Sequence, residues 1–193
     1  MAKTDTKTQI LDVAQDLIQR LGVNGMSYKD ISEAVGIRKA SVHTHFPKKD
    51  DLLIALLERY SDRFFRTVDG IFAADSTPSE KLRQYCGLFE ATLNSGDRDK
   101  ACLFGMVGAE LVGLSPRIGE QVQGFFHASE ERLTALLAAG QQTGDFQFSG
   151  KAEDLAALIL AALQGGLLIA RAYGDADRLH REVEQLIALV KAE

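Results

Sequence analysis

Two short segments with helical apolar spacing, joined by a tight glycine turn, lie within the first fifty residues. Ser27 and Asp30 are three residues apart and form a capping box that starts the first segment, and Gly36 ends it. The second segment covers residues 39–46. In such a pair the second helix can enter the major groove of DNA, which is about 12 Å wide. The alternative is that both are ordinary small helices of an all-α domain whose charges are solvated.

Apolar residues at helical spacing continue along the chain and predict an all-α protein of nine helices. We expect the helix pair to be held at a fixed angle by Ile31, Ala34, Val42 and Phe46. The predicted helices cover residues 6–21, 27–35, 39–46, 48–71, 78–93, 100–111, 116–142, 151–172 and 175–192. Residues 146–148 alternate too briefly to predict a strand. We expect a helix-turn-helix domain over residues 1–50 and a helical body over residues 51–193.

The charge is unevenly distributed between the two predicted domains. Residues 1–50 carry 8 Lys and Arg against 6 Asp and Glu, whereas residues 51–193 carry 14 against 21. The net charge of the whole chain is -5. A basic head on an acidic body is typical of an N-terminal module that binds a polyanion.

The sequence around the glycine turn resembles the DNA-binding head of the TetR family of transcriptional regulators. The similar segments are SYKDISEAVGI (27–37), KASV (39–42) and HFPKKDDL (45–52), and the resemblance covers about residues 6–55. It implies a nine-helix homodimeric repressor that binds a palindromic operator in double-stranded DNA. It also implies that a small-molecule inducer, entering the body, releases the DNA.

The resemblance carries specific DNA contacts to this chain. Ser27 and Lys49 match positions that bind phosphates on either side of the recognition helix. Positions that touch bases or backbone match Lys39, Ser41, His43, Thr44 and His45, and the predicted DNA-binding set is completed by Lys29 and Arg38. The position of His43 usually carries Tyr, so this contact could become pH-dependent or pass to His45.

The body contains most of the aromatic residues, which could line a ligand pocket between helices. The candidates are Phe64, Phe89, Phe104, Phe125 and Phe126, with Phe72 and Leu111 as further lining residues. The alternative for each is ordinary core packing, which is the commoner role of such residues. No His, Cys and Asp cluster has metal-ligand spacing, and no nucleophile is paired with a base, so we expect no metal, no cofactor and no catalysis.

The two cysteines, Cys86 and Cys102, cannot form a disulfide framework. Cys102 is predicted in the first turn of the sixth helix after Arg98 and Lys100, where a thiolate is stabilised. Residues 101–111 resemble a TetR subgroup whose sixth helix opens with Gly-Cys-Leu and in which some members respond to electrophiles or oxidants. Here Ala101 replaces the usual Gly. Cys102 is therefore either a sensor or a buried packing or ligand-contact residue, and Cys86 is expected in the core.

The last two predicted helices are apolar enough to predict a dimer interface. Small residues allow close approach and large ones supply area. They are Ala156, Ala157, Ala161, Ala162, Gly165 and Gly166, with Leu155, Leu158, Ile159, Leu163, Leu167, Leu168, Leu179, Val183, Leu186, Ile187 and Val190. The alternative is a central core helix.

Residues 155–170 are shorter than a membrane span and the N-terminus lacks an apolar signal region, so we expect a cytoplasmic protein without membrane contact. Two other functions stay open beside a ligand-responsive repressor. One is a small helical thiol-dependent redox enzyme that uses Cys102. The other is a DNA-binding activator or architectural protein without an inducer.

Overall fold

The computed structural model describes residues 5–95 and 99–191, and within these ranges the chain folds into nine α-helices. They are α1 (Thr6–Leu21), α2 (Tyr28–Val35), α3 (Lys39–His45), α4 (Lys49–Ala73), α5 (Pro78–Asn94), α6 (Leu103–Ala109), α7 (Pro116–Thr143), α8 (Ala152–Tyr173) and α9 (Ala176–Val190). The only bridge among the described residues is an isolated antiparallel pair of Phe146 and Lys191. The prediction of an all-α, nine-helix fold is therefore confirmed.

Local capping signals account for several helix ends. Ser27 and Thr77 each cap a helix and form a reciprocal capping box, with Asp30 and Glu80 respectively. Gly36 ends α2 in the left-handed conformation, with φ 76°.

Helix α6 is shorter than its apolar pattern predicts. It covers Leu103–Ala109 rather than residues 100–111, so Cys102 precedes the helix instead of lying in its first turn. Gly105 and Gly108 lie inside α6, and glycine lowers helix propensity. Arg98 and the predicted end of the last helix at Ala192 lie outside the described residues.

The chain divides into two compact units. Unit 1 comprises Met1–Asp62 and Leu103–Gln123. In unit 1, α2 packs against both α1 and α3, and α6 packs against α1. Its buried core includes Ile10, Ala14, Ile18, Ile31, Val42, Phe46, Leu53, Leu57, Phe104 and Val107.

The predicted role of Ala34 in fixing the angle between α2 and α3 is wrong. Ala34 is exposed, because the two turns of α2 direct Tyr28, Ile31 and Ser32 inward instead. The buried Ser32 hydroxyl is satisfied by donating to the Lys29 carbonyl at 2.8 Å.

Tyr28 ties the start of α2 to the connection between α3 and α4. Its hydroxyl lies 2.9 Å from the Phe46 carbonyl oxygen and 2.7 Å from that of Lys48. Burial, and to a smaller extent the charge of Asp51, raises the pKa of Tyr28 to about 12. The phenol therefore stays protonated at neutral pH and remains a donor at this connection.

Unit 2 comprises Arg63–Cys102 and Gly124–Glu193. Here α5, α8 and α9 pack against one another. Their buried residues include Leu82, Tyr85, Phe89, Ile159, Leu163, Leu167, Leu179 and Val183.

Helix α8 is long and apolar enough to cross a membrane, with 22 residues and a mean hydropathy of 1.9 over its most apolar window. The expectation that this stretch is too short is therefore wrong, because the helix extends beyond residues 155–170 at both ends. Core helices of soluble proteins have the same length and composition, and α8 packs one face against α5 and α9.

We predict that Tyr28→Phe lowers the free energy of unfolding by about 1 kcal/mol, because the carbonyls at the α3–α4 connection lose their donor. Urea unfolding followed by circular dichroism measures the change. Tyr173→Phe is the matched control, since Tyr173 is 71% exposed and should unfold as the wild type does. Equal stability of Tyr28→Phe and wild type would contradict a structural role for this hydroxyl.

Candidate nucleic-acid interface and ligand site

Helix α3 presents a polar, exposed surface. Its one buried residue is Val42. Because α3 contacts the core through this residue, its other side chains lie towards the surface. Of the predicted DNA-binding residues, the exposed ones are Ser27, Lys29, Arg38, Lys39, His43, Thr44 and His45. Ser41 and Lys49 are partly exposed. All nine belong to unit 1, and the set offers several hydrogen-bond donors to a nucleic acid.

Two of these side chains already use their hydroxyl groups inside the protein. Ser27 Oγ lies 2.7 Å from Asp30 Oδ2 within the capping box. The hydrogen bonds from the Ser27 side chain and the Ser27 backbone lower the pKa of Asp30. Thr44 Oγ1 donates to the Ala40 carbonyl at 3.0 Å. Donation to a phosphate from either hydroxyl would require exchange of these bonds.

His43 lies against Tyr28, with ring centroids 4.7 Å apart. The two rings are tilted by 59°, and His43 remains exposed on α3. The contact with Tyr28 thus orients His43, which stands at a position that usually carries Tyr in the TetR family.

Lys49 has a structural role that its position at the start of α4 does not reveal. Its Nζ donates to the carbonyl oxygens of Val23 and Met26, at 2.5 and 2.8 Å. Burial lowers the pKa of this ammonium, and the negative charge of Glu110 opposes the shift. An ammonium carries three hydrogens, so two are used on the loop between α1 and α2.

Four of the five predicted ligand-site phenylalanines lie in an aromatic cluster of unit 2. The ring of Phe125 lies 5.2 Å from Phe64 and 5.8 Å from Phe126. Tyr85 lies 5.8 Å from Phe89 and 6.3 Å from Phe64. Phe104 instead belongs to unit 1, where its ring lies 5.9 Å from Tyr60.

The sequence reasoning missed two members of this cluster, Phe65 and Tyr85. The Phe65 ring packs 5.2 Å from Phe125 and lies under the Arg132 guanidinium at 4.2 Å. Arg132 also pairs with Asp69 at 2.7 Å, which lowers the pKa of that carboxyl. Helical spacing does not predict that two adjacent residues, Phe64 and Phe65, both pack in the same cluster.

Tyr85 places a polar group among these rings. Its side chain is fully buried, and its hydroxyl has no hydrogen-bond partner among the described residues. Ser129 lies near it but donates its own hydroxyl hydrogen to the Phe125 carbonyl at 2.8 Å. Burial first, then the neighbouring Cys86 and Cys102, raise the pKa of Tyr85 above its usual value. A buried donor without a partner is costly and is a group to which a polar ligand can bind.

The two cysteines are unbridged and buried. Cys86 has no exposed surface, and burial raises the pKa of its thiol to about 12. It is a core residue, as expected, and its thiolate is disfavoured. Cys102 is 6% exposed.

The outer face of α8 and α9 forms an apolar groove of about 590 Å³ in unit 2. Leu158 and Leu189 are 64% and 79% exposed. The groove is lined by Leu155, Leu158, Ile159, Ala162, Leu186, Leu189 and Val190, with Arg178, Arg181, Glu182 and Gln185 at its polar positions. Such a contiguous apolar patch is typical of an interaction surface.

Over residues 5–95 and 99–191, no three His, Cys, Asp or Glu side chains group closely enough to hold a metal ion.

Two family models match this chain. Residues 10–56 match the bacterial regulatory proteins of the tetR family, and residues 78–186 match the tetracyclin repressor-like C-terminal domain. The second match alone spans more than half of the chain.

Individual proteins agree with the family models. A transcriptional regulator of the TetR family from Agrobacterium tumefaciens is 32% identical, with a TM-score of 0.92 over 97% of this chain and 98% of that one. A TetR transcriptional regulator from Legionella pneumophila is 33% identical, with a TM-score of 0.88 over 99% and 100%. The HTH-type transcriptional repressor DhaR of Mycobacterium sp. (strain GP1) is 24% identical over 169 residues, 87% of this chain and 83% of DhaR.

The exposed polar helix α3, the nine-helix fold and matches to both halves of the sequence lead to one conclusion: this chain belongs to the TetR family of transcriptional regulators.

Proposed function

We propose that this protein is a homodimeric repressor that binds a palindromic operator through α3 and is released from it by a small molecule or a reactive electrophile. The observation that carries the proposal is the exposed polar face of α3, in a segment that matches the tetR family. The matching family model describes bacterial regulatory proteins, and DhaR is an HTH-type transcriptional repressor. We place this protein in the cytoplasm, with DNA binding in residues 1–50 and ligand binding and dimerisation in residues 51–193.

The outer groove of α8 and α9 supports the homodimer. Leu163, Leu167 and Val183 are buried within the chain, whereas Leu158 and Leu189 are largely exposed. Burying that second apolar face against the same face of another copy stabilises a two-fold dimer of four helices. A two-fold dimer presents two α3 helices, and this symmetry requires a palindromic site.

We predict that the double variant Leu158→Glu, Leu189→Glu is monomeric at micromolar concentration, because association would bury unpaired carboxylates. Sedimentation velocity measures the change. Val112→Glu is the control: Val112 is fully exposed and lies outside the groove, so this variant should stay dimeric. A dimeric double variant would remove the groove from the interface.

The DNA contacts are proposed for Ser27, Lys29, Arg38, Lys39, Ser41, His43, Thr44, His45 and Lys49. Ser41 is the sharpest test among them, since it lies on α3 near its N-terminus, the part of a recognition helix closest to the base edges.

We predict that Ser41→Ala changes the base preferred at one position of each half-site, with a loss of about 1 kcal/mol of discrimination there. Selection from random double-stranded DNA, with wild type in parallel, measures the preference. Ser149→Ala, at an exposed position between α7 and α8, should return the wild-type palindrome. An unchanged consensus for Ser41→Ala would contradict base contact by Ser41.

For the inducer, the aromatic cluster with the Tyr85 hydroxyl supports an aromatic or apolar small molecule that accepts one hydrogen bond. Phe64, Phe89, Phe125 and Phe126 are the proposed contacts in unit 2, whereas Phe104, the fifth predicted pocket residue, lies in unit 1. For an electrophile, Cys102 is the proposed site, because it is 6% exposed, whereas Cys86 has no exposed surface and burial disfavours its thiolate.

We predict that N-ethylmaleimide releases the selected DNA from wild type and from Cys86→Ser but not from Cys102→Ser. The Cys102 sulfur would add to the alkene carbon as a thioether, with the proton passing to the neighbouring carbon. Fluorescence anisotropy of labelled DNA follows release, and mass spectrometry follows the adduct. Release from Cys102→Ser equal to wild type would eliminate this switch.

The two other functions remain distinguishable from repression. Peroxide turnover by the purified protein, lost in Cys102→Ser, would support a thiol-dependent redox enzyme. DNA binding that no small molecule or electrophile weakens would support an activator or architectural protein.

A further inference from the structure

The loop between α1 and α2, residues 22–26, is bonded to a carboxylate that follows α6. Glu110 accepts a hydrogen bond from Val23 N through Oε1, at 3.1 Å, and from Asn24 N through Oε2, at 2.8 Å. Both are charge-assisted bonds from backbone donors, which are stronger than neutral ones. Glu110 lies one residue beyond the last residue of α6, and it shares unit 1 with the loop.

The same loop is bonded on its carbonyl side by α4. Lys49 Nζ donates to Val23 O and Met26 O, and the Glu110 charge acts on the same ammonium. The positive N–H ends of the loop's peptide dipoles face the Glu110 anion, and the negative carbonyl ends face the Lys49 cation. Both interactions are favourable. The two side chains therefore hold the loop as a clamp, here named the Lys49–Glu110 clamp.

Gly22 is the residue that allows the carboxylate to approach. It has φ +80°, a conformation that L side chains rarely adopt, and a Cβ at this position would overlap Glu110 Oε1. Glycine at position 22 thus allows both the backbone conformation of the loop and the close approach of the Glu110 carboxylate.

The clamped loop leads directly into the DNA-binding helices. Ser27, the cap of α2, follows Met26, and Tyr28 connects α2 to the carbonyls at the end of α3. A shift of the loop moves the start of α2, and α3 moves with it because α2 and α3 are packed together.

We infer that Glu110 is a positioning residue for DNA binding, which holds the loop before α2 and thereby links the position of α6 to that of α3. This inference rests on the proposed operator binding. Glu110 touches the loop rather than DNA in this assignment, so its effect on affinity passes through the backbone of Val23 and Asn24.

Charge and positioning predict opposite effects when this carboxylate is removed. Loss of a negative charge from a DNA-binding unit should strengthen binding to a polyanion. Loss of the loop bonds should weaken binding to the operator while the salt dependence stays the same, since no phosphate-binding cation is removed. Whether the affinity for the operator rises or falls therefore distinguishes the effect of charge from the effect of positioning.

The test compares Glu110→Ala and Glu110→Gln with Glu120→Ala, which removes an exposed carboxylate from α7 in the same unit. Binding to the palindrome selected by wild type is titrated at several salt concentrations. Hydrogen exchange is measured by mass spectrometry over residues 22–26 and 103–109, with and without that DNA. Thermal unfolding is recorded for every variant, and Glu110→Gln, which keeps one acceptor oxygen, serves if Glu110→Ala does not fold.

We expect Glu110→Ala to bind the palindrome about tenfold more weakly with an unchanged salt slope, and Glu110→Gln to fall between it and wild type. Residues 22–26 should exchange faster in free Glu110→Ala than in Glu120→Ala. By linkage, DNA should slow exchange in residues 103–109 of wild type but not of Glu110→Ala.

Binding by Glu110→Ala as tight as or tighter than wild type, with α6 still protected by DNA, would overturn the inference. So would unchanged exchange of residues 22–26 in the free variant. If wild type binds no DNA, the proposed function fails, and the exchange of residues 22–26 still decides whether Glu110 holds the loop.

Discussion

Four hydrogen bonds hold one five-residue loop of unit 1, which leads into α2 and so towards the exposed polar helix α3. Two come from the loop's N–H groups to Glu110 and two from Lys49 to its carbonyl groups. Because the loop lies between the long α1 and the short α2, these bonds fix the position of the first turn of α2 within unit 1. A helix of eight residues buries too little surface to fix its own position, so its neighbours must do so.

The same dependence on neighbours governs α3. Val42 is its only buried residue. Further contacts to the core are the His43 ring against Tyr28, the following Phe46, and the Tyr28 hydroxyl that reaches the Phe46 carbonyl. This sparse anchoring leaves most of the surface of α3 exposed, as the proposed DNA contacts require. It also makes the helix sensitive to small shifts in α2 and α4.

In unit 2 the governing constraint is burial of apolar area. Helix α8 is apolar on more faces than one chain can cover: Ile159 and Leu163 are buried against its own neighbours, while Leu158 is exposed. Inside the unit, the fully buried hydroxyl of Tyr85 is a polar exception within an aromatic cluster. The outer face and the buried hydroxyl support two different partners, a second copy and a small ligand.

The sequence alone determined the nine helices, and it determined several of their ends because capping boxes and glycine stops act within a few residues. The boxes at Ser27 and Thr77 and the stop at Gly36 are of this kind, and the resemblance carried by residues 27–52 located the exposed face of α3. Two patterns misled. Helix α6 is three residues shorter at its start and two residues shorter at its end than its apolar pattern predicts. Ala34 is exposed, because α2 is too short for its apolar spacing to identify the buried face. Only the tertiary structure decided that Lys49 bonds to the α1–α2 loop, that Glu110 completes the clamp and that Tyr85 joins the aromatic cluster. Glu110 and Val23 are 87 residues apart, and no local spacing rule reaches that far, because such contacts form only when packed helices bring distant segments together.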